Sequence, residues 1–268
     1  MSGAGNDFVV LGATEASGLG PRLATWVRAV CRRGLSVGAD GVLVVEPSGD
    51  NRVTARFFNP DGTEAFCGNA SRCAARFAVS RGMVQGNSMV LETAIGDVDA
   101  QVRGPSVLLT LPPPADLGCI LVETERGGLE GRGILAGVPH FVVWAEEVGS
   151  FPLNEWGPLV RRHARFAPEG TNLDVAAPHG DGAIAVRTWE RGVEGETLAC
   201  GTGAVAVALA ARLKGKEETV RILPASLVPL VVTLPGPADA PKRTLLEGDA
   251  RIVFEGVLSD EGTEGFPT

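Results

Sequence analysis

The chain has 268 residues, 44% of them hydrophobic and 21% charged, with 32 acidic side chains against 24 basic and a net charge of −8. That length gives room for two domains, each able to bury a core. An acidic balance without a basic stripe argues against nucleic acid as a partner, and no apolar run is long enough to span a bilayer. A cytoplasmic protein is therefore expected. The five cysteines are an odd number in a chain with no export signal, which fits reduced thiols. Cys67 and Cys73 lack ligand spacing, so no zinc or other metal site is expected.

In chain order, Gly3-Ala4-Gly5-Asn6 reads as a turn running into a strand at Phe8–Leu11. Leu23, Trp26, Val27 and Val30 recur at helical spacing within 22–33, and Gly34 closes that helix. Short β-branched runs follow at 42–46, 53–58, 89–92, 98–102 and 107–111, separated by Gly, Asp, Asn and Pro. Inside them, Ala70, Cys73, Ala74, Phe77 and Ala78 mark one apolar helix face, with Arg72, Arg76 and Ser80 on the opposite side. Pro112-Pro113-Pro114 cannot continue a strand and is the best linker candidate.

The second half reads as strands at 141–145, 172–176, 183–189, 219–223, 230–234 and 251–254, with a helix at 153–163. Residues 204–211 are small and apolar on every face, the mark of a helix buried all round. The last residues, 261–268, are expected to fray.

Two stretches share a local plan. Cys67-Gly68-Asn69 and Cys200-Gly201-Thr202-Gly203 each set a thiol and a glycine at the start of an apolar helix, 133 positions apart. Gly5–Val10 matches Gly137–Val142 after one inserted residue, Gly38–Gly41 matches Gly170–Leu173, and Arg56–Asn59 corresponds to Arg187–Glu190. The chain therefore reads as two similar domains, 1–114 and 115–253, each contributing one Cys-Gly helix start. Cys31, Cys73 and Cys119 lack that context and are expected to serve packing.

A helix N-terminus lowers a thiol's pKa and offers amide donors to an anion. Two such thiols, one from each half, suit a reaction that removes a proton from one side of a carbon and returns one to the other. Inversion at an amino-acid α-carbon is such a reaction, and the backbone amides of Gly68-Asn69 and Gly201-Thr202 are the nominated donors for the developing charge. A pyridoxal phosphate enzyme needs a Schiff-base lysine. The three lysines, Lys214, Lys216 and Lys242, stand outside the motifs, which favours a mechanism without a cofactor.

In order along nearly the whole chain stand Gly5-Asn6-Asp7-Phe8, Phe58-Asn59-x-Asp61-Gly62-x-Glu64, Cys67-Gly68-Asn69, Pro139-His140, Thr171-Asn172, Glu190-Arg191-Gly192 and Glu196-Thr197-x-Ala199-Cys200-Gly201-Thr202-Gly203. With these motifs the chain resembles the diaminopimelate epimerases, cofactor-independent enzymes that interconvert LL- and meso-diaminopimelate in lysine and peptidoglycan precursor biosynthesis. The resemblance implies an α/β (α+β) fold of two pseudo-symmetric domains, each a mainly antiparallel β-barrel around a central helix, with the site between them and residues from about 254 to 268 returning to the first domain. It implies Cys67 and Cys200 as the acid/base pair, one thiolate and one thiol. Asn6, Asn59, Gly68, Asn69, Asn172, Glu190, Arg191, Gly201 and Thr202 would bind substrate, with His140 behind them. The implied partner is a small amino-acid substrate, and a homodimer is compatible with it; no nucleic acid, membrane or metal is expected.

Two positions depart from the family's pattern: Gly41 stands where glutamine is common, and Val138 where asparagine precedes Pro-His. The Gly-Asn-Asp-Phe turn also comes closer to the first residue than is usual. Three other readings stay open. A proline or hydroxyproline epimerase of the same class would have His in place of Asn69. A thiol redox protein would need the two sulfurs within bonding reach. A silent amino-acid binding module would need neither thiol.

Overall fold

The computed structural model describes residues 1–263 and is a mixed α/β structure, mostly sheet. It divides into two compact units, Met1–Leu109 together with the chain from Gly248 onward, and Thr110–Glu247.

The first unit runs β1 (Ser2–Gly3), β2 (Asn6–Gly12), α1 (Ala13–Leu19), α2 (Leu23–Val30), β3 (Gly41–Gly49), β4 (Arg52–Phe58), β5 (Glu64–Ala65), α3 (Gly68–Ser80), β6 (Ser88–Thr93), β7 (Gly96–Arg103) and β8 (Ser106–Leu111). Strands β2 and β3 pair in parallel with Phe8 opposite Gly41, β4 lies antiparallel to β3 and β5, and β6 joins β4 in parallel and β7 in antiparallel register. Helix α3 packs against β1, β2, β3, β4, β6 and β7, so sheet surrounds it. On the other face of the sheet, Val27 and Val30 of α2 join Val42, Val44 and Phe58 in a separate apolar cluster.

In the second unit the order is β9 (Ala115–Thr124), β10 (Gly127–Ala136), β11 (Val138–Trp144), α4 (Leu153–Arg161), β12 (Asn172–Pro178), β13 (Ile184–Glu190), β14 (Gly195–Thr197), α5 (Gly201–Arg212), β15 (Thr219–Leu223), β16 (Leu230–Thr233) and β17 (Thr244–Asp249), whose last two residues belong to the first unit. Its pairing repeats that of the first: β11 and β12 are parallel with Phe141 opposite Leu173, β13 is antiparallel to β12 and β14, and β15 joins β13 in parallel and β16 in antiparallel register. The paired residues Phe8/Gly41 and Phe141/Leu173 are the same ones the sequence repeat aligns. Helix α5 packs against β10, β11, β12, β13, β15 and β16, and every residue from Ala204 to Ala211 is buried. Helix α4 covers the outer face, where Leu153 and Val160 meet Leu173 and Val175. There Gly157 lies flat on Trp189: a Cβ at that position would stand 2.3 Å from the indole.

Several expectations are corrected. Helix α1 has no clear apolar period and goes unseen in the sequence. The ten-residue strands β9 and β10 are also missed, because Gly118, Gly127, Gly128, Gly131 and Gly133 dilute their β-signal. The short β5 and β14, and β17, join them. The strand expected at 251–254 does not form: Arg251 exchanges two backbone hydrogen bonds with Ser2 (2.8 and 2.7 Å), and residues 252–259 carry no regular structure. Part of the expected fraying tail, 264–268, lies outside the described residues. Arg72, expected on the polar face of α3, is wholly buried, and Cys119, expected to pack, is exposed. Among the described residues no helix is long and apolar enough to cross a membrane.

Candidate active site

In the first unit, β4 ends at Phe58 and the chain turns through Asn59–Thr63, where the Asn59 side chain donates to Thr63 Oγ1 at 3.1 Å. After β5, Cys67 holds an extended conformation (φ −142°, ψ 118°) as the residue that opens α3. A first helical turn carries backbone amides with no acceptor inside the helix, and the helix dipole adds partial positive charge there.

One turn along, a chain of side chains fixes the amides around this helix start. Arg72 Nη2 donates to Asn69 Oδ1 (2.7 Å), so Asn69 presents Nδ2 to Asn6 Oδ1 (2.5 Å), and Asn6 in turn donates to Asp40 Oδ2 (2.8 Å). The donor direction is set from a cation at one end to a carboxylate at the other, and Arg33 closes on Asp40 Oδ1 at 2.8 Å. Burial pulls the Arg72 guanidinium below its ordinary pKa, while the neighbouring thiols Cys73 and Cys67 and Asp249 oppose that shift. Asn6, read as turn or ligand, is therefore held by protein partners at both ends of its amide.

The second unit builds the other helix start. Cys200 is extended (φ −114°, ψ 114°) and caps α5, its Sγ accepting from the Gly203 N–H at 3.4 Å and lying 3.4 Å from Thr202 Oγ1. Burial pushes this thiol well above its ordinary pKa, and the Glu190 and Asp174 carboxylates push the same way. The Thr202 hydroxyl and Gly203 amide pull it down, but by less. The expectation that a helix start lowers the thiol's pKa is thus reversed at Cys200, because loss of hydration outweighs two donors.

Behind Cys200 lies a buried polar network. His140, on β11, meets Asp174 Oδ2 through Nδ1 at 2.6 Å, and Asp174 Oδ1 accepts from Thr188 Oγ1 at 2.7 Å. Asn172 directs Nδ2 to the Pro139 carbonyl (3.1 Å) and toward His140 Nε2 (3.4 Å), and its Oδ1 accepts from the Arg191 N–H at 2.7 Å. Glu190 Oε2 accepts from Thr197 Oγ1 at 2.8 Å, and Arg191 Nη1 donates to the Glu169 carbonyl at 3.3 Å.

The structure thus groups Asn6, Asn69 and the start of α3 in one unit, and His140, Asn172, the Glu190-Arg191 turn, Thr202 and Cys200 in the other. Asn59 stands in its hairpin turn. Sequence reasoning missed Arg72, Asp40, Asp174 and Thr188. Asp174 shares a strand face with Asn172 in a run, 172–177, that is buried throughout. Gly41 faces Phe57, whose Cε2 would stand 2.3 Å from a Cβ there. Val138 opens β11 and is half-buried.

Comparison with known proteins follows the same lines. Residues 1–108 and 134–226 match the family model described as diaminopimelate epimerase. The chain is 38% identical over 275 residues to a diaminopimelate epimerase of Hydrogenobaculum sp., covering 97% of each. It is 39% identical over 277 residues to that of Aquifex aeolicus, covering 98% of each, and 38% identical over 281 residues to that of Archaeoglobus fulgidus, covering 96% of this chain and 94% of the other. Among solved structures, a hydroxyproline epimerase from Agrobacterium vitis superposes with a TM-score of 0.66 at 22% identity, covering 86% of this chain and 78% of the other. A phenazine biosynthesis protein of the PhzF family from Bacillus anthracis gives 0.69 at 14% identity, covering 93% and 92%. At those identities the structural likeness speaks for the fold alone. Motifs, duplicated topology and full-length similarity agree, and the chain belongs to the diaminopimelate epimerase family, whose members are isomerases.

Proposed function

We propose that this protein interconverts LL- and meso-2,6-diaminopimelate, with no added cofactor, through Cys67 and Cys200. The observation that carries the reading is the pair of Cys-Gly helix starts in a chain that aligns over 97% of its length with a relative named diaminopimelate epimerase. In the proposed reaction one thiolate takes the α-proton and becomes a thiol, and the other thiol delivers its proton to the opposite face and becomes a thiolate. Proton count and charge balance, and the next turnover runs in reverse or follows re-equilibration with solvent. The developing carbanion is weakly basic only when its carboxylate is held by donors, and the first-turn amides at Gly68-Asn69 and Gly201-Thr202 supply them.

Asn6, Asn59, Asn172, Glu190 and Arg191 would hold the amino-acid groups, since an ammonium calls for amide oxygens or a carboxylate and a carboxylate for N–H donors. His140 would support Asn172 from behind. The setting is a cytoplasmic biosynthetic enzyme, with a homodimer as the proposed assembly. Proton NMR of LL-diaminopimelate in D2O tests the reading: loss of the α-proton signal with appearance of the meso form is expected. Exchange with proline but not with diaminopimelate would move the substrate and keep the chemistry; no exchange with any amino acid, with both thiols reduced, would remove both.

A further inference from the structure

Buried carboxylates are expensive to hold, and Asp174 sits wholly buried in a strand whose neighbours are apolar. Two features of the chain exist to accommodate it. Thr188, opposite it on β13, turns its hydroxyl onto Oδ1. Gly203, in the first turn of α5, leaves out a side chain where the carboxylate arrives: a Cβ there would stand 2.5 Å from Asp174 Oδ1, 3.2 Å from Thr188 Oγ1 and 3.2 Å from Cys200 Cβ. Carboxylate, hydroxyl and reactive cysteine therefore converge on one glycine. The remaining carboxylate oxygen takes the proton-bearing Nδ1 of His140, which leaves Nε2 as an acceptor for Asn172 Nδ2. Asn172 then has a single orientation, with Oδ1 on the Arg191 amide.

We propose that Asp174 is a positioning residue of the Cys200 half of the site: its carboxylate, seated with Thr188 and Cys200 around Gly203, fixes the first turn of α5 that carries the thiol and, through His140 and Asn172, locks the Glu190-Arg191 turn in place. The role rests on the proposed function insofar as Cys200 is an acid/base there. The charged groups facing Cys200 are Asp174 from β12 and Glu190 from the end of β13, with the Thr202 hydroxyl and Gly203 amide on its own helix. His140 stands on the far side of Asp174.

Two substitutions separate charge from shape. Asp174→Asn keeps the outline and a hydrogen bond to each neighbour but removes the charge; Thr188→Val keeps the charge and strips it of its donor. Alkylation of Cys200 by iodoacetamide, followed on its own peptide by mass spectrometry across pH, reads the thiolate through the pH midpoint of the rate, which separates ionisation from access to this buried sulfur, and needs no substrate. Asp174→Asn is expected to alkylate faster than the parent at neutral pH, with a lower midpoint, because one of the two carboxylates that oppose the thiolate is gone while burial and Glu190 remain. Thr188→Val, with a barer carboxylate, is expected to alkylate more slowly than the parent. The alkaline limb of kcat/KM for epimerisation should move down with Asp174→Asn by the same amount. An unchanged Cys200 rate in folded Asp174→Asn, or both variants moving in one direction, overturns the proposal. Because alkylation is independent of substrate, opposite shifts in the two variants support the role of Asp174 even if diaminopimelate proves not to be the substrate.

Discussion

Replacing Gly203 with alanine puts one methyl group into the tightest point of the second helix start. Its Cβ would lie 2.5 Å from Asp174 Oδ1, well inside van der Waals contact, and 3.2 Å from both Thr188 Oγ1 and Cys200 Cβ. The carboxylate cannot swing clear, because His140 and Thr188 hold it at 2.6 and 2.7 Å. Overpacking of this kind costs about 1–3 kcal/mol, and weakening a hydrogen bond to a charged group adds about 1.5–3 kcal/mol. Alanine's better helix propensity returns at most about 1 kcal/mol. The net expectation is a loss of about 2–4 kcal/mol, which lowers Tm by roughly 5–15 °C in a chain of this size. Thermal unfolding by circular dichroism measures it, with Gly195→Ala as control, since a Cβ at Gly195 meets nothing within 4 Å. Gly203→Ala melting within a degree of the parent would show that the carboxylate yields freely, and the picture of a fixed network would be wrong.

Cys67→Ala and Cys200→Ala should each lower the epimerisation rate by at least about 10²-fold in folded protein, the second with some loss of Tm because it also removes the cap on α5, whereas Cys73→Ala, buried in α3, should alter stability and spare the chemistry. Gly157→Ala should destabilise by about 1–3 kcal/mol, because its methyl would land 2.3–2.6 Å from the Trp189 ring; a urea midpoint equal to the parent's refutes this. Burial pushes the Cys73 thiol up to about 12 and the Cys31 thiol up to about 11, from an ordinary 9.0. Each binds its proton more tightly in the native state, so their contribution is complete below about pH 9 and drains away as pH climbs toward those values. Urea midpoints should fall between pH 9 and 11, less steeply in Cys73→Ala; a flat profile would count against burial of these thiols. At the acid end, the Arg132 guanidinium holds Asp116 below the usual carboxylate range, so Arg132→Ala should lose the most relative stability above about pH 4 and converge with the parent in stronger acid.

What the sequence made legible follows its periodicities. Short β-branched runs between turn residues gave most strands of both halves, and the wholly apolar 204–211 announced a helix buried all round. The repeat offset even carried register, since Phe8/Gly41 and Phe141/Leu173 pair in the same manner. Strands β9 and β10 were hidden because glycine contributes no side chain to a pattern read from side chains. Arg72 and Asp174 were hidden for a different reason. A charged residue at a helical or strand position reads as solvent-facing, and only the three-dimensional supply of partners, Asn69 and the Asp249 carbonyl for one, His140 and Thr188 for the other, lets it be buried. The two cysteines were visible by their context, but not the sign of the shift at Cys200, which depends on how dry its surroundings are.

The contact between Gly41 and Phe57 bears on redesign. Taken singly, a glutamine introduced at position 41 would drive its Cβ into the Phe57 ring and the Phe58 carbonyl, 2.3 and 2.6 Å away, and would fail as a protein rather than as a catalyst. Trimming the ring relieves only part of this, because the Phe58 carbonyl is backbone and stays where its strand pairs with β3. A scan of single substitutions at 41 therefore measures steric collision and backbone displacement before it measures anything else.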